Sequence, residues 1–146
     1  MYKRQQICGE YKKQSPEGGR VGFLASAVII KPRIALTAAH VIEGGSKMYI
    51  ILNERKIDII CAVMLKAYDR DELGPFDIAV CYLKEDAELD FYPELYDKND
   101  EVHKVCSIAG YGMTGDHRRG VKVNDGKKRA GSNYICLLYT SPSPRD

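Results

Sequence analysis

Apolar residues along this chain gather in short runs, and turn-forming or charged residues break every one of them. Phe23-Leu24-Ala25-Ser26-Ala27-Val28-Ile29-Ile30 is rich in β-branched side chains, Lys31-Pro32-Arg33 interrupts it, and Ile34-Ala35-Leu36 resumes. β-Branched residues suit a pleated surface and proline punctuates it, so this stretch predicts a hairpin. Further runs over Lys47–Leu52, Ile57–Leu65, Asp77–Leu83 and Val102–Ala109 are separated by Gly, Asn, Asp or Pro clusters. Many short strands divided by turn signals predict an all-β, antiparallel sandwich or barrel. Only Ala38–Ile42 has the character of a helical turn, stopped by Glu43-Gly44-Gly45. Glu85–Lys104 is acidic, aromatic-rich and without strand alternation, and reads as a linker before a glycine-rich later part. No internal repeat is present.

Composition narrows this picture little. The chain has 146 residues, 45% of them hydrophobic, and its charges nearly balance at +2. That suits one globular domain, or a piece of one, able to bury a real core. So small a net charge gives no reason to expect nucleic acid or an anionic membrane as partner, and the basic crowding from His117 to Arg129 reads as a solvated loop. The longest apolar run, Phe23–Ile30, is far short of a membrane span, and the polar opening Met1-Tyr2-Lys3-Arg4-Gln5-Gln6 lacks the apolar region of a signal peptide. No membrane association is expected, and localisation stays open.

Cys8, Cys61, Cys81, Cys106 and Cys136 are odd in number and hold no Cys-x-x-Cys spacing, so neither a zinc site nor a closed disulfide framework is signalled. Cys61 and Cys81, inside apolar runs, read as buried thiols acting as small hydrophobes. His40, His103 and His117 share no metal-ligand spacing. No metal and no cofactor are expected.

The candidate chemistry lies in Ala35-Leu36-Thr37-Ala38-Ala39-His40-Val41. A histidine after a small-residue turn is usually structural, so His40 alone decides nothing. Gly74-Pro75-Phe76-Asp77-Ile78-Ala79-Val80 places a carboxylate at the mouth of an otherwise apolar strand. An ionised group there is costly unless hydrogen-bonded or paired. An imidazole is a suitable partner: it donates its Nδ1 proton to the carboxylate, which fixes the tautomer and leaves Nε2 free as a general base.

Leu36-Thr37-Ala38-Ala39-His40, Asp77-Ile78-Ala79-Val80 and Ala109-Gly110-Tyr111-Gly112-Met113-Thr114-Gly115 resemble, in that order, the signature segments of trypsin-like serine endopeptidases. Arg129-Ala130-Gly131-Ser132-Asn133 is similar to a segment that follows in many bacterial members, so the resemblance runs from about Phe23 to Ile135. It implies a chymotrypsin-like antiparallel β-barrel fold, of which this chain holds the first barrel and the start of the second. It also implies a polypeptide substrate and a Ser-His-Asp triad in which His40 is the general base and acid and Asp77 orients it. The nucleophilic serine has no match: the sequence contains no Gly-x-Ser-Gly-Gly, and neither Ser132 nor Ser141 has that setting. The specificity pocket is missing with it.

The domain organisation that follows is a first barrel over 1–84 with His40 and Asp77, a linker over 85–104, the start of a second barrel over 105–135, and a tail over 136–146. That tail, with two Ser-Pro pairs, looks like a translated sequencing adapter rather than native sequence. The family's disulfide beside the histidine has Val41 and Ala25 in its places, consistent with a barrel held by packing, and Cys106 matches a cysteine that in relatives pairs within the second barrel and should be free here. A secreted location is open by resemblance. Ile7-Cys8-Gly9-Glu10 is similar to an activated N-terminus of the family, but Arg4 is not adjacent to Ile7. Two other functions stay open: a cysteine-nucleophile relative with the same barrel, and a catalytically inactive barrel serving as a binding module.

Overall fold

The computed structural model describes residues 4–14, 20–70, 76–116, 118, 120–123 and 125–136. Its elements run β1 (Arg4–Gln14), β2 (Arg20–Lys31), β3 (Ile34–Thr37), α1 (Ala39–Ile42), β4 (Gly45–Leu52), β5 (Arg55–Met64), β6 (Ala79–Leu83), β7 (Val105–Gly110), β8 (Thr114–Asp116), β9 (Gly120–Val123) and β10 (Arg129–Tyr134). Strands β1 to β6 close into an antiparallel barrel in the order β1-β2-β3-β6-β5-β4. Closure satisfies both edges of every strand, which an open sheet of this length could not do. No helix among the described residues is long and apolar enough to cross a membrane.

Two turns fix the register. Pro32 and Arg33 join β2 to β3, with Lys31 opposite Ile34, so the proline falls where no ladder donor is needed. Asn53 and Glu54 join β4 to β5 with φ of 48° and 65°, opposite a Leu52–Arg55 pair. Two successive positive φ values make a turn whose twist matches the flanking strands, and asparagine tolerates that region well. The inward-facing residues then interdigitate: Ile7, Ile29, Ile50, Ile57, Cys81 and Leu83 are fully buried.

The sequence reading missed β1, and the structure shows its importance. Ile7 pairs with Ala25 of β2 on one side and Ile50 of β4 on the other. It is the seam residue of the barrel. Ile7-Cys8-Gly9-Glu10 lies mid-strand, its backbone shared between two ladders and its isoleucine in the core. Gly9 belongs to the same seam: a Cβ there would lie 2.7 Å from the Phe23 ring and 2.9 Å from Met48 Cγ. Val41 is buried, and Ala25 packs against the same core, so apolar contact stands at both places where the family has the disulfide.

Cys81 is buried as expected, and burial, then the neighbouring Cys61, pushes its thiol up to about 11. Cys61 is not buried. The register shifts between Ile59 and Cys61 opposite Leu83 and Tyr82, and this bulge turns Cys61 to the outside. All five cysteines are free thiols.

Beyond β6 the chain is strapped to the barrel without strand pairing. Arg33 donates to the carbonyls of Leu83 (3.1 Å) and Lys84 (2.9 Å), Arg55 donates to the Asp86 carbonyl (2.7 Å), and the Ala87 N–H reaches the Pro32 carbonyl at 2.8 Å. The strand anticipated from Val102 begins at Val105: His103 has a φ of 67°, outside the extended region, while backbone bonds of His103 and Lys104 with Ile135 carry the pairing with β10 one step further. Strand β7 then pairs with β10, and β8 with β9. The Tyr111 N–H donates to Ser26 Oγ at 2.8 Å, tying this later part to the barrel. His117 and the tail over 137–146 lie outside the described residues.

Because Ile7 closes the barrel, Ile7→Ala should lower stability by about 2–5 kcal/mol in urea denaturation, the range for deleting a fully buried isoleucine side chain. A loss well under about 1 kcal/mol would show that β1 is not part of the cooperative core.

Candidate active site

The site forms where β3 and β6 run out. Those strands pair antiparallel with Leu36 opposite Val80 and Thr37 opposite Ala79. Continuing that register by two residues brings Asp77 opposite Ala39, beside His40. Sequence neighbours 37 positions apart thus become spatial neighbours through a ladder of only four residue pairs.

His40 sits on α1, a single turn of four residues entered from Ala38 in extended conformation (φ −76°, ψ 145°), which supplies no side-chain cap. The first N–H groups of a helix have no partner within it and need one from elsewhere. Asp77 supplies it. Its Oδ1 accepts from the His40 backbone N–H at 2.9 Å, the Ala39 N–H adds a further bond, and Oδ2 lies 2.6 Å from His40 Nδ1. One carboxylate therefore caps the turn and holds the ring that the turn carries. A three-residue turn, closed by the Ile78 N–H on the Phe76 carbonyl at 2.7 Å, presents Asp77 to these donors.

Burial pushes the Asp77 carboxyl up, but the His40 backbone bond, the bond and charge of its ring and the Ala39 bond together hold it below the ordinary carboxylate value of 3.8. An ionised carboxylate can only accept, so the proton in the Nδ1 contact belongs to the imidazole. The neutral ring then keeps its Nε2 lone pair for another proton. The His40 side chain is 53% exposed against 20% for Asp77, so the anchored edge is screened and the ring as a whole is open.

Around this pair the apolar floor is continuous. Ala39, Val41 and Ile42 are buried, and Thr37, the one buried polar residue among those described, donates from Oγ1 to the Ser26 carbonyl at 3.0 Å. The same Ser26 accepts from Tyr111, so the glycine-aromatic-glycine segment is fastened two bonds away from the strand that leads to His40.

The sequence model of the trypsin family matches residues 8–139. The chain belongs to the trypsin family. Solved structures with the same fold include GrC (TM-score 0.67, 17% identity, covering 88% of this chain and 58% of GrC). They also include neuropsin, a serine protease expressed in the limbic system of mouse brain (TM-score 0.62, 16% identity, 86% and 57% covered), and HL collagenase (TM-score 0.62, 13% identity, 89% and 56% covered). This trypsin-family chain thus spans less than three-fifths of the length of each. No curated protein matches it.

His103 lies on an exposed loop at φ 67°, and Ser132 is an exposed residue of β10 paired with Ser107 of β7. Ser141 lies outside the described residues. Among the described residues no group of three or more His, Cys, Asp and Glu is placed to hold a metal. An open groove of about 480 Å³ runs between Ser26 and the β7–β10 sheet, past Ile108, Gly110, Arg129 and Ser132, and neither His40 nor Asp77 lines it. The sequence reading missed the bonding of Ser26 and Thr37. Their roles come from hydrogen bonds between distant segments, which no local pattern encodes.

The lowered folded value of Asp77 sets a direction. Its bonds contribute stability that is present above the ordinary carboxylate value and lost as pH falls through the lowered one. The wild type should therefore be more stable than Asp77→Asn near neutrality, and urea denaturation at falling pH should show the gap closing. A gap that widened on acidification would contradict the bonding described.

Proposed function

We propose that this chain carries the general base and the orienting acid of a serine-type endopeptidase acting on polypeptide substrates. The observation that supports it is the 2.6 Å contact of His40 Nδ1 with Asp77 on a ring that is still half exposed. A core histidine has no need of both. In this reading Nε2 of His40 takes the hydroxyl proton of the nucleophile as it attacks the scissile carbonyl, and later returns that proton to the leaving amine. Asp77 holds the productive tautomer and stabilises the imidazolium that forms between these steps. The nucleophile and the oxyanion donors lie outside this sequence, which has no Gly-x-Ser-Gly-Gly. The coverage of under three-fifths of the solved structures agrees with that.

On this reading 1–84 is the first barrel, 85–104 the linker, 105–135 the start of the second barrel and 136–146 a non-native tail. Substrate preference belongs to the part that is not encoded here.

Acyl transfer needs a nucleophile and oxyanion donors, so the purified chain should turn over no peptide ester above background. The reading frame extended past residue 136 should encode the serine in its glycine-rich turn. In that longer protein Asp77→Asn should lower kcat by roughly 10⁴-fold, measured on a peptide ester. Turnover by the present chain that His40→Ala abolishes would overturn the proposal. A cysteine in the nucleophile turn would assign the cysteine class instead, and a residue unable to attack would leave a binding module.

A further inference from the structure

The histidine turn is gripped at both ends. Asp77 holds its N-terminal end through the His40 and Ala39 N–H groups. At the other end stands Glu43, whose N–H donates to the Ala39 carbonyl at 3.0 Å. Its Oε2 accepts from the Tyr68 hydroxyl at 3.3 Å and lies 3.5 Å from Arg70 Nε. Tyr68 in turn donates its N–H to the Leu65 carbonyl at 3.0 Å, and the Leu65 N–H reaches the Ile78 carbonyl at 3.3 Å. Ile78 adjoins Asp77. The bonds thus close a circuit from His40 through Glu43, Tyr68, Leu65 and Ile78 to Asp77 and back to His40.

A helix of one turn has no stability of its own, because nucleation fixes several residues for the gain of one bond. Its orientation is set by what grips it. The Tyr68 ring is half-buried and packs against the core, so its hydroxyl is delivered to Glu43 from an anchored side chain. Burial raises the Tyr68 hydroxyl, the Glu43 charge and bond raise it further, and the Asp77 carboxylate adds to this against Arg70, which places all three groups within electrostatic reach. Arg70 is 77% exposed, and an ion pair that open to water contributes little.

We propose that Glu43 and Tyr68 are positioning residues for the His40–Asp77 pair, their hydrogen bond keeping the histidine turn in register with the segment that delivers the carboxylate. This rests on the reading of that pair as the catalytic base and its orienter. Neither residue touches the reacting atoms. Their effect runs through the Nδ1 hydrogen bond, which loosens when the turn is held from one end only.

The test uses the chain itself, labelled with ¹⁵N at histidine, and follows exchange of the His40 Nδ1 proton with water by NMR. In the wild type that proton should be protected, and Asp77→Asn should remove the protection. Tyr68→Phe, which keeps the ring, and Glu43→Ala should each speed its exchange by about threefold or more, the scale of one hydrogen bond. Glu43→Gln, which retains a carbonyl acceptor, should restore most of the protection. Lower unfolding midpoints in both variants with unchanged Nδ1 exchange would mark a merely structural role and overturn the proposal. Should Tyr68→Phe not fold, Glu43→Ala against Glu43→Gln decides in the same terms. If Asp77→Asn leaves the proton protected, the catalytic reading of the pair fails, and this proposal with it.

Discussion

Everything at the site depends on the antiparallel register of β3 against β6. Those two strands share only four pairs, yet they set which residue meets the turn that follows β3. A slip by one residue would turn every side chain of β6 to the other face and present a different residue to the capping donors. The slip is prevented by the core: Ala35 and Thr37 alternate inward on β3, and Ala79, Cys81 and Leu83 do so on β6. Site geometry and apolar burial are thus one specification, because the interior that drives folding also selects the partner of His40.

The same economy shows in how Asp77 is accommodated. A carboxylate at the edge of a barrel loses hydration, which favours its neutral form. Here it is compensated by donors that themselves lack partners, the first N–H groups of α1, and by an imidazole that benefits from a fixed tautomer. Each group solves another's problem. The absence of a polar residue at Ala38 is part of the arrangement, since a local cap would compete with Asp77 for the same N–H groups.

How far this was legible in the sequence follows from what each feature rests on. Strands β2 to β6 could be read because their runs are apolar and their turns carry Pro32 or Asn53. The His40–Asp77 pairing could be anticipated because a carboxylate at the head of an apolar strand demands a partner, and the family resemblance supplied the order. Strand β1 could not: Arg4-Gln5-Gln6 and Glu10 are polar and Gly9 is small, so its membership shows only through Ile7 meeting two neighbours at once. Cys61 misled for a related reason. A continuous apolar run carries no record of the bulge that reverses which of its residues face inward.

The site is half open, and this changes what the charges in it can do. Attraction between imidazolium and carboxylate scales inversely with the effective dielectric, roughly fourfold stronger in a protein surface environment than in bulk water, and stronger again where water is excluded. With the His40 ring 53% exposed, much of that attraction is screened, while the short Nδ1 bond keeps its geometry. Orientation is therefore already built into this barrel, since it comes from register, capping and packing. Electrostatic stabilisation is not, because it requires a wall on the exposed side of the ring. The orientation of the ring and its electrostatic environment are thus physically separable: register, capping and packing set the first, and the exclusion of water sets the second.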